Sequence, residues 1–102
     1  MDSRHYREER KERERIINDV IGIGEKVATF KVDRGHKNGP ELHTITSTCI
    51  IIIENERTHK LVTKLIARPA QIKRYFEDDN SPQIKQILKL AREHNLMGYN
   101  EF

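Results

Sequence analysis

The run Cys49-Ile50-Ile51-Ile52-Ile53-Glu54 constrains this chain more than any other stretch. Consecutive β-branched residues are stiff at χ1 and favour extended backbone. A strand sends successive side chains to opposite faces, so an unbroken apolar run needs cover on both. The run therefore predicts a central strand buried on two sides. The core available to it is small, because only 35% of the 102 residues are hydrophobic and 34% are charged. Average globular chains carry roughly 45–50% and 25%. That leaves no room for a large cofactor inside a doubly wound sheet.

The neighbouring segments supply the rest of a sheet. Lys26 to Val32 alternates as a half-buried strand, and Glu41 to Thr46 reads as a second one. Ser47-Thr48 fits a tight turn into the isoleucine strand. Asn55 to Thr58 reads as a hairpin turn, and His59 to Ala67 alternates with period two. Between the first two strands, Asp33 to Pro40 holds two glycines, an Asn-Gly step and a proline, which mark a loop.

Helices flank the sheet. From about Asp2 to Ile21 the pattern is helical, with Ile16, Ile17, Val20 and Ile21 as its apolar stripe and Gly22 and Gly24 as its stop. Pro69 to Glu77 predicts a short helix, and Ser81-Pro82 an N-cap and N1 pair for a last helix running to about His94. The predicted class is α+β: an N-terminal helix, a four-stranded, mainly antiparallel sheet with the helices on one face, and two C-terminal helices. Residues 1–102 read as one domain, with 1–15 a charged helical extension and 22–102 the core.

Charge is uneven. The formal excess is only +3. From Arg57 to Phe76, however, Arg57, Lys60, Lys64, Arg68, Lys73 and Arg74 meet no Asp or Glu. Such a stretch predicts attraction to anions. No apolar run nears the roughly 20 residues of a membrane span, and no signal peptide stands at the start. The single cysteine excludes an internal disulfide framework. A reducing cytoplasm is the expected setting, with no metal, cofactor or membrane partner.

The densest group of reactive side chains is Arg34-Gly35-His36-Lys37-Asn38-Gly39-Pro40-Glu41-Leu42-His43. Each histidine taken alone reads first as an ordinary surface or hydrogen-bonded residue. Together with Glu41 they match the needs of RNA cleavage without a metal. That reaction needs a base for the 2′-hydroxyl, an acid for the leaving 5′-oxygen and a cation for the phosphorane. His36, Glu41 and His43 are candidates for acid and base. Arg68 and Lys64 are candidates for the cation, and Thr46, Ser47 and Thr63 for orienting hydroxyls. Lys37, Lys60, Thr63, Lys64, Lys73 and Arg74 are the candidate nucleic-acid contacts, with Tyr75, Phe76 and Tyr99 as base-stacking aromatics.

The segment from Gly35 to Tyr75 resembles the barnase, EndoU, colicin and RelE-like group of metal-independent ribonucleases. The likeness rests on a helix before a four-stranded antiparallel sheet, the histidine-bearing loop RGHKNGPELH, and a strand ending in a basic Ile-Ala-Arg within LIARPAQIKRYF. It covers about half the chain, and similar short sequences occur among small phage and prophage proteins. The resemblance implies a toxin-like, phage-borne endoribonuclease with His36, Glu41, His43 and Arg68 as its catalytic set. It departs from the barnase pattern in lacking a late strand histidine, since His94 falls on a predicted helix. The alternative expectation is a non-enzymatic phage protein that binds a host protein or nucleic acid through its basic sheet face. A homo-oligomer joined through the Ile16/Ile17/Val20/Ile21 stripe is compatible with it.

Overall fold

A computed structural model describes residues 3–101, and the side chains of residues 7–101. Helix α1 spans Ser3–Arg15 and widens into a π-helical turn at Ile16–Ile21. Four strands follow: β1 Lys26–Val32, β2 Glu41–Thr46, β3 Ile50–Asn55 and β4 Leu61–Ile66. Helices α2, Pro69–Tyr75, and α3, Pro82–Leu96, close the chain. The strands form one antiparallel meander in the order β1-β2-β3-β4. The α+β arrangement expected from the sequence is the one observed.

Register places Phe30, His43, Ile53 and Thr63 side by side across the sheet, and Ala28, Ile45, Ile51 and Leu65 on the same face. Helices α2 and α3 cover that face: Ile45, Ile51 and Ile53 pack with Ile72, Ile84, Ile87 and Ala91. An irregularity between Lys26 and Ala28 lets Val27 join this cluster. The opposite face is not left open. Ile50 and Ile66 pack there against Ile16 and Ile17 of the π-turn, joined by Ile52 and Tyr99. The helices therefore lie on both faces, not on one. The isoleucine run has the two-sided burial that its pattern required, and each fully buried isoleucine contributes roughly 1.5–3 kcal/mol.

The core begins at Ile16, earlier than the expected residue 22, because the last turns of the helix dock. They do so through the wider turn, in which Gly22 N–H reaches Ile17 O at 2.7 Å. In a π-turn the backbone hydrogen bonds close between residues five apart, not four. Ile16, Ile17 and Ile21 pack on the sheet while Val20 stays 49% exposed. Gly22, at φ +82°, takes the left-handed backbone that ends the turn. The stripe expected to join two copies is largely used within one chain, since Ile16 and Ile17 are buried against Ile50 and Ile66.

Other ends shift by a residue or two. Cys49 falls in the turn with φ 65°, and His59 with φ 57° delays β4 to Leu61. The Cys49 thiol is buried and donates to Ile87 O, and burial pushes it up to about 12. Ser81 caps α3 by accepting from Ile84 N–H at 3.4 Å. None of the helices among the described residues is long and apolar enough to cross a membrane.

Candidate active site

His43 lies in mid-β2, on the face that α2 covers, and is 2% exposed. Two partners meet it there. Its Nε2 is 3.1 Å from Glu41 Oε1, and its Nδ1 is 2.5 Å from Tyr75 Oη. Strand periodicity explains the first contact, because residues two apart share a face. Packing explains the second: Phe30, level with His43 in β1, meets the Tyr75 ring tilted at 5.3 Å and the Phe76 ring edge to face at 5.2 Å. That aromatic cluster holds the C-terminal end of α2 over the histidine.

The partners assign the protons. An ionised Glu41 only accepts, so Nε2 carries the hydrogen and donates to it. In a ring that carries that single hydrogen, Nδ1 accepts from the Tyr75 hydroxyl. Tyr75 suits this donor role, because burial pushes its hydroxyl above its ordinary value. The Arg34 guanidinium on the loop pulls it partly back, and the Glu41 charge adds to the upward shift. The result is an ordered chain, Tyr75 O–H to His43 to Glu41, that fixes one carboxylate oxygen.

Glu41 is not enclosed. Its side chain keeps 25% of its exposure and lines a cleft of about 290 Å³ together with His36, Lys37 and Asn38. The loop carrying these residues is tied down at several points. Gly39 N–H donates to His36 O at 2.9 Å, and Asn55 Nδ2 donates to Asn38 O at 3.0 Å. Glu56 N–H donates to Pro40 O at 3.0 Å. Gly39 has φ +88°, and a Cβ there would stand 2.8 Å from Arg57 Nε, so the loop and the β3–β4 turn meet closely. His36 and Glu41 thus share one cleft, while His43 is buried behind Glu41.

Arg68 is elsewhere. His43 is level with Thr63 in β4, and five further residues of chain, roughly 16 Å, carry the backbone to Arg68 at the other end of the sheet. There Arg68 caps α2 and its Nη2 donates to Asn100 O at 2.8 Å, while Asn100 Nδ2 donates to Ala67 O. The three candidate hydroxyls have structural partners. Thr63 accepts from Arg13 Nη2, Ser47 accepts from Glu25 N–H, and Thr46 accepts from Ile50 N–H. Lys73 and Arg74 are exposed on α2. Lys37 and Lys60 line one cleft at the turn end of the sheet, and Lys64 lies further along β4. The basic stretch is thus split: Arg57, Lys60 and Lys64 lie about β4 and the turn before it, and Arg68, Lys73 and Arg74 on or next to α2. Tyr75, Phe76 and Tyr99 pack internally.

Sequence reasoning missed Tyr75 as the partner of His43. Thirty-two residues separate them, and no local pattern signals the contact. Among the described residues no three His, Cys, Asp or Glu side chains gather into a metal-ligand set. Comparison with family models, curated proteins and solved structures finds no match.

Proposed function

We propose that the protein cleaves RNA at the His36–Glu41 cleft, using its own side chains. The observation that carries this reading is the position of Glu41. One oxygen is held by the buried His43–Tyr75 pair, and the side chain opens on a cleft that also contains His36 and Lys37. A fixed base, an acid and a cation around one cavity are what the reaction needs.

Glu41 Oε2 takes the proton of a ribose 2′-hydroxyl, and the 2′-oxygen attacks the adjacent phosphorus. The bond from phosphorus to the 5′-oxygen breaks, and protonated His36 gives its proton to that oxygen. The products are a 2′,3′-cyclic phosphate and a 5′-hydroxyl. Lys37 offsets the charge gathered on the phosphorane. The role given to Arg68 by the family resemblance passes to Lys37, because Arg68 lies at the other end of the sheet. His43 acts through Glu41.

The test compares wild type with Glu41→Gln and His36→Ala on unstructured RNA in chelator. Cleavage by wild type, reduced about 100-fold or more in each variant with unchanged circular dichroism, is the expected result. Equal cleavage by all three contradicts the assignment. Retained RNA binding without cleavage by any of them favours the binding-only reading, which the same Lys37 and Lys60 would serve.

A further inference from the structure

The His36–Glu41 cleft does not end at Glu41. It shares Lys37, Asn38, Asn55 and Val62 with a second cleft of about 490 Å³ beside the β3–β4 turn. The second shares Leu61 and Val62 with a third, about 190 Å³, between α1 and β4. Through these shared residues the three clefts adjoin one another, from the start of β2 round the edge strand β4 to α1. Their cations are Lys37, Arg57 and Lys60 in the middle, then Arg10, Arg13 and Lys64 beside α1. Their carboxylates are Glu41 at one end and Glu14 at the other.

Two apolar side chains lie among these cations. Leu61 and Val62 are 53% and 50% exposed, among the few large hydrophobics left uncovered. They sit where the clefts meet, with cations on either side. We infer that these adjoining clefts bind single-stranded RNA, with Leu61 and Val62 receiving base faces and Arg10, Arg57, Lys60 and Lys64 the phosphates. The inference rests on the reading of the His36–Glu41 cleft as the site of cleavage, and it names the substrate class. A duplex hides its base faces in the stack and presents phosphates alone, so exposed aliphatic side chains between cations match a single strand. The highly charged α1 gains a role here, as one wall of the groove.

The groove is tested without the reaction. The probe is a fluorescein-labelled RNA of about 12 nucleotides, within the span that single-strand grooves occupy. Its 2′-O-methyl groups block cleavage. Fluorescence anisotropy compares this strand with its duplex across a salt series. Wild type is expected to bind the single strand at least tenfold more tightly. With about six phosphates engaged, log K should fall against log salt with a slope near −4. Lys60→Glu and Arg10→Glu, both at exposed positions, should each weaken binding about fivefold or more and reduce the slope by about 1. Lys85→Glu and Lys89→Glu on α3 should leave binding unchanged.

Equal affinity for duplex and single strand overturns the inference. So does wild-type binding by Lys60→Glu and Arg10→Glu, or equal weakening by the α3 variants. Failure of the reaction reads differently. Groove binding that depends on Lys60 and Arg10, without cleavage of unmodified RNA, leaves the groove standing and removes the chemistry.

Discussion

Tyr75→Phe isolates the contact on which the site is built. The substitution deletes one hydroxyl and keeps the ring, so Phe30 retains its ring contact at 5.3 Å. No sizeable cavity is made. What changes is His43 Nδ1, in a residue 2% exposed, which loses the donor 2.5 Å away. A buried acceptor left unsatisfied costs about 1–3 kcal/mol. For a domain near 100 residues each kcal/mol moves Tm by about 4–8 °C, so the melting point should fall by about 5–20 °C. Thermal and urea unfolding followed by circular dichroism measure it. A His43→Leu background supplies the control, because there Nδ1 no longer exists. Adding Tyr75→Phe to that background should cost less than about 0.5 kcal/mol, the usual limit for a change that breaks no specific feature. Equal cost in both backgrounds, or no cost in wild type, refutes the claim that the stranded nitrogen carries the effect.

Two other perturbations follow from the same structure. Buried His94, whose Nδ1 has no hydrogen-bond partner among the described residues, is held below its ordinary value by burial, against the opposing charge of Glu93. The unfolded chain therefore binds the proton first: stability is full above about pH 6.5, falls as pH drops below it, and levels off once the folded protein is also protonated. Urea midpoints across this range should slope in wild type and lose that component in His94→Phe; an unchanged slope would count against it. Gly39→Ala places a side chain at φ +88° and crowds Arg57, at a cost of about 1–2 kcal/mol for the left-handed backbone alone. Unfolding at the wild-type urea midpoint would show that the loop does not need glycine there.

Much of the architecture was legible because it depends on local pattern. Four isoleucines in a row cannot make a one-sided strand, and short links between strands favour antiparallel neighbours. Glu41 and His43 were expected on one face by their spacing alone, and they meet there at 3.1 Å. Other features depend on geometry that no short window contains. The π-turn changes which residue of the Ile16–Ile21 stripe points outward, and it carries the helix end to the second face. Arg68 lies apart from His36 and His43, because β4 carries it to the sheet's far end. Tyr75 reaches His43 only because α2 folds back over the sheet, a contact set by Phe30 packing. The run of unopposed cations from Arg57 to Phe76 is real in the sequence but divided in space by the strand and the helix that it spans.

The central claim is that Glu41 and His36 drive attack of the 2′-hydroxyl on phosphorus. The most direct measurement is mass spectrometry of the fragment ends after incubation of single-stranded RNA with purified protein in chelator. The account predicts 2′,3′-cyclic phosphate and 5′-hydroxyl ends from wild type, and none from Glu41→Gln. Intact RNA, or fragments bearing 5′-phosphates, would contradict it.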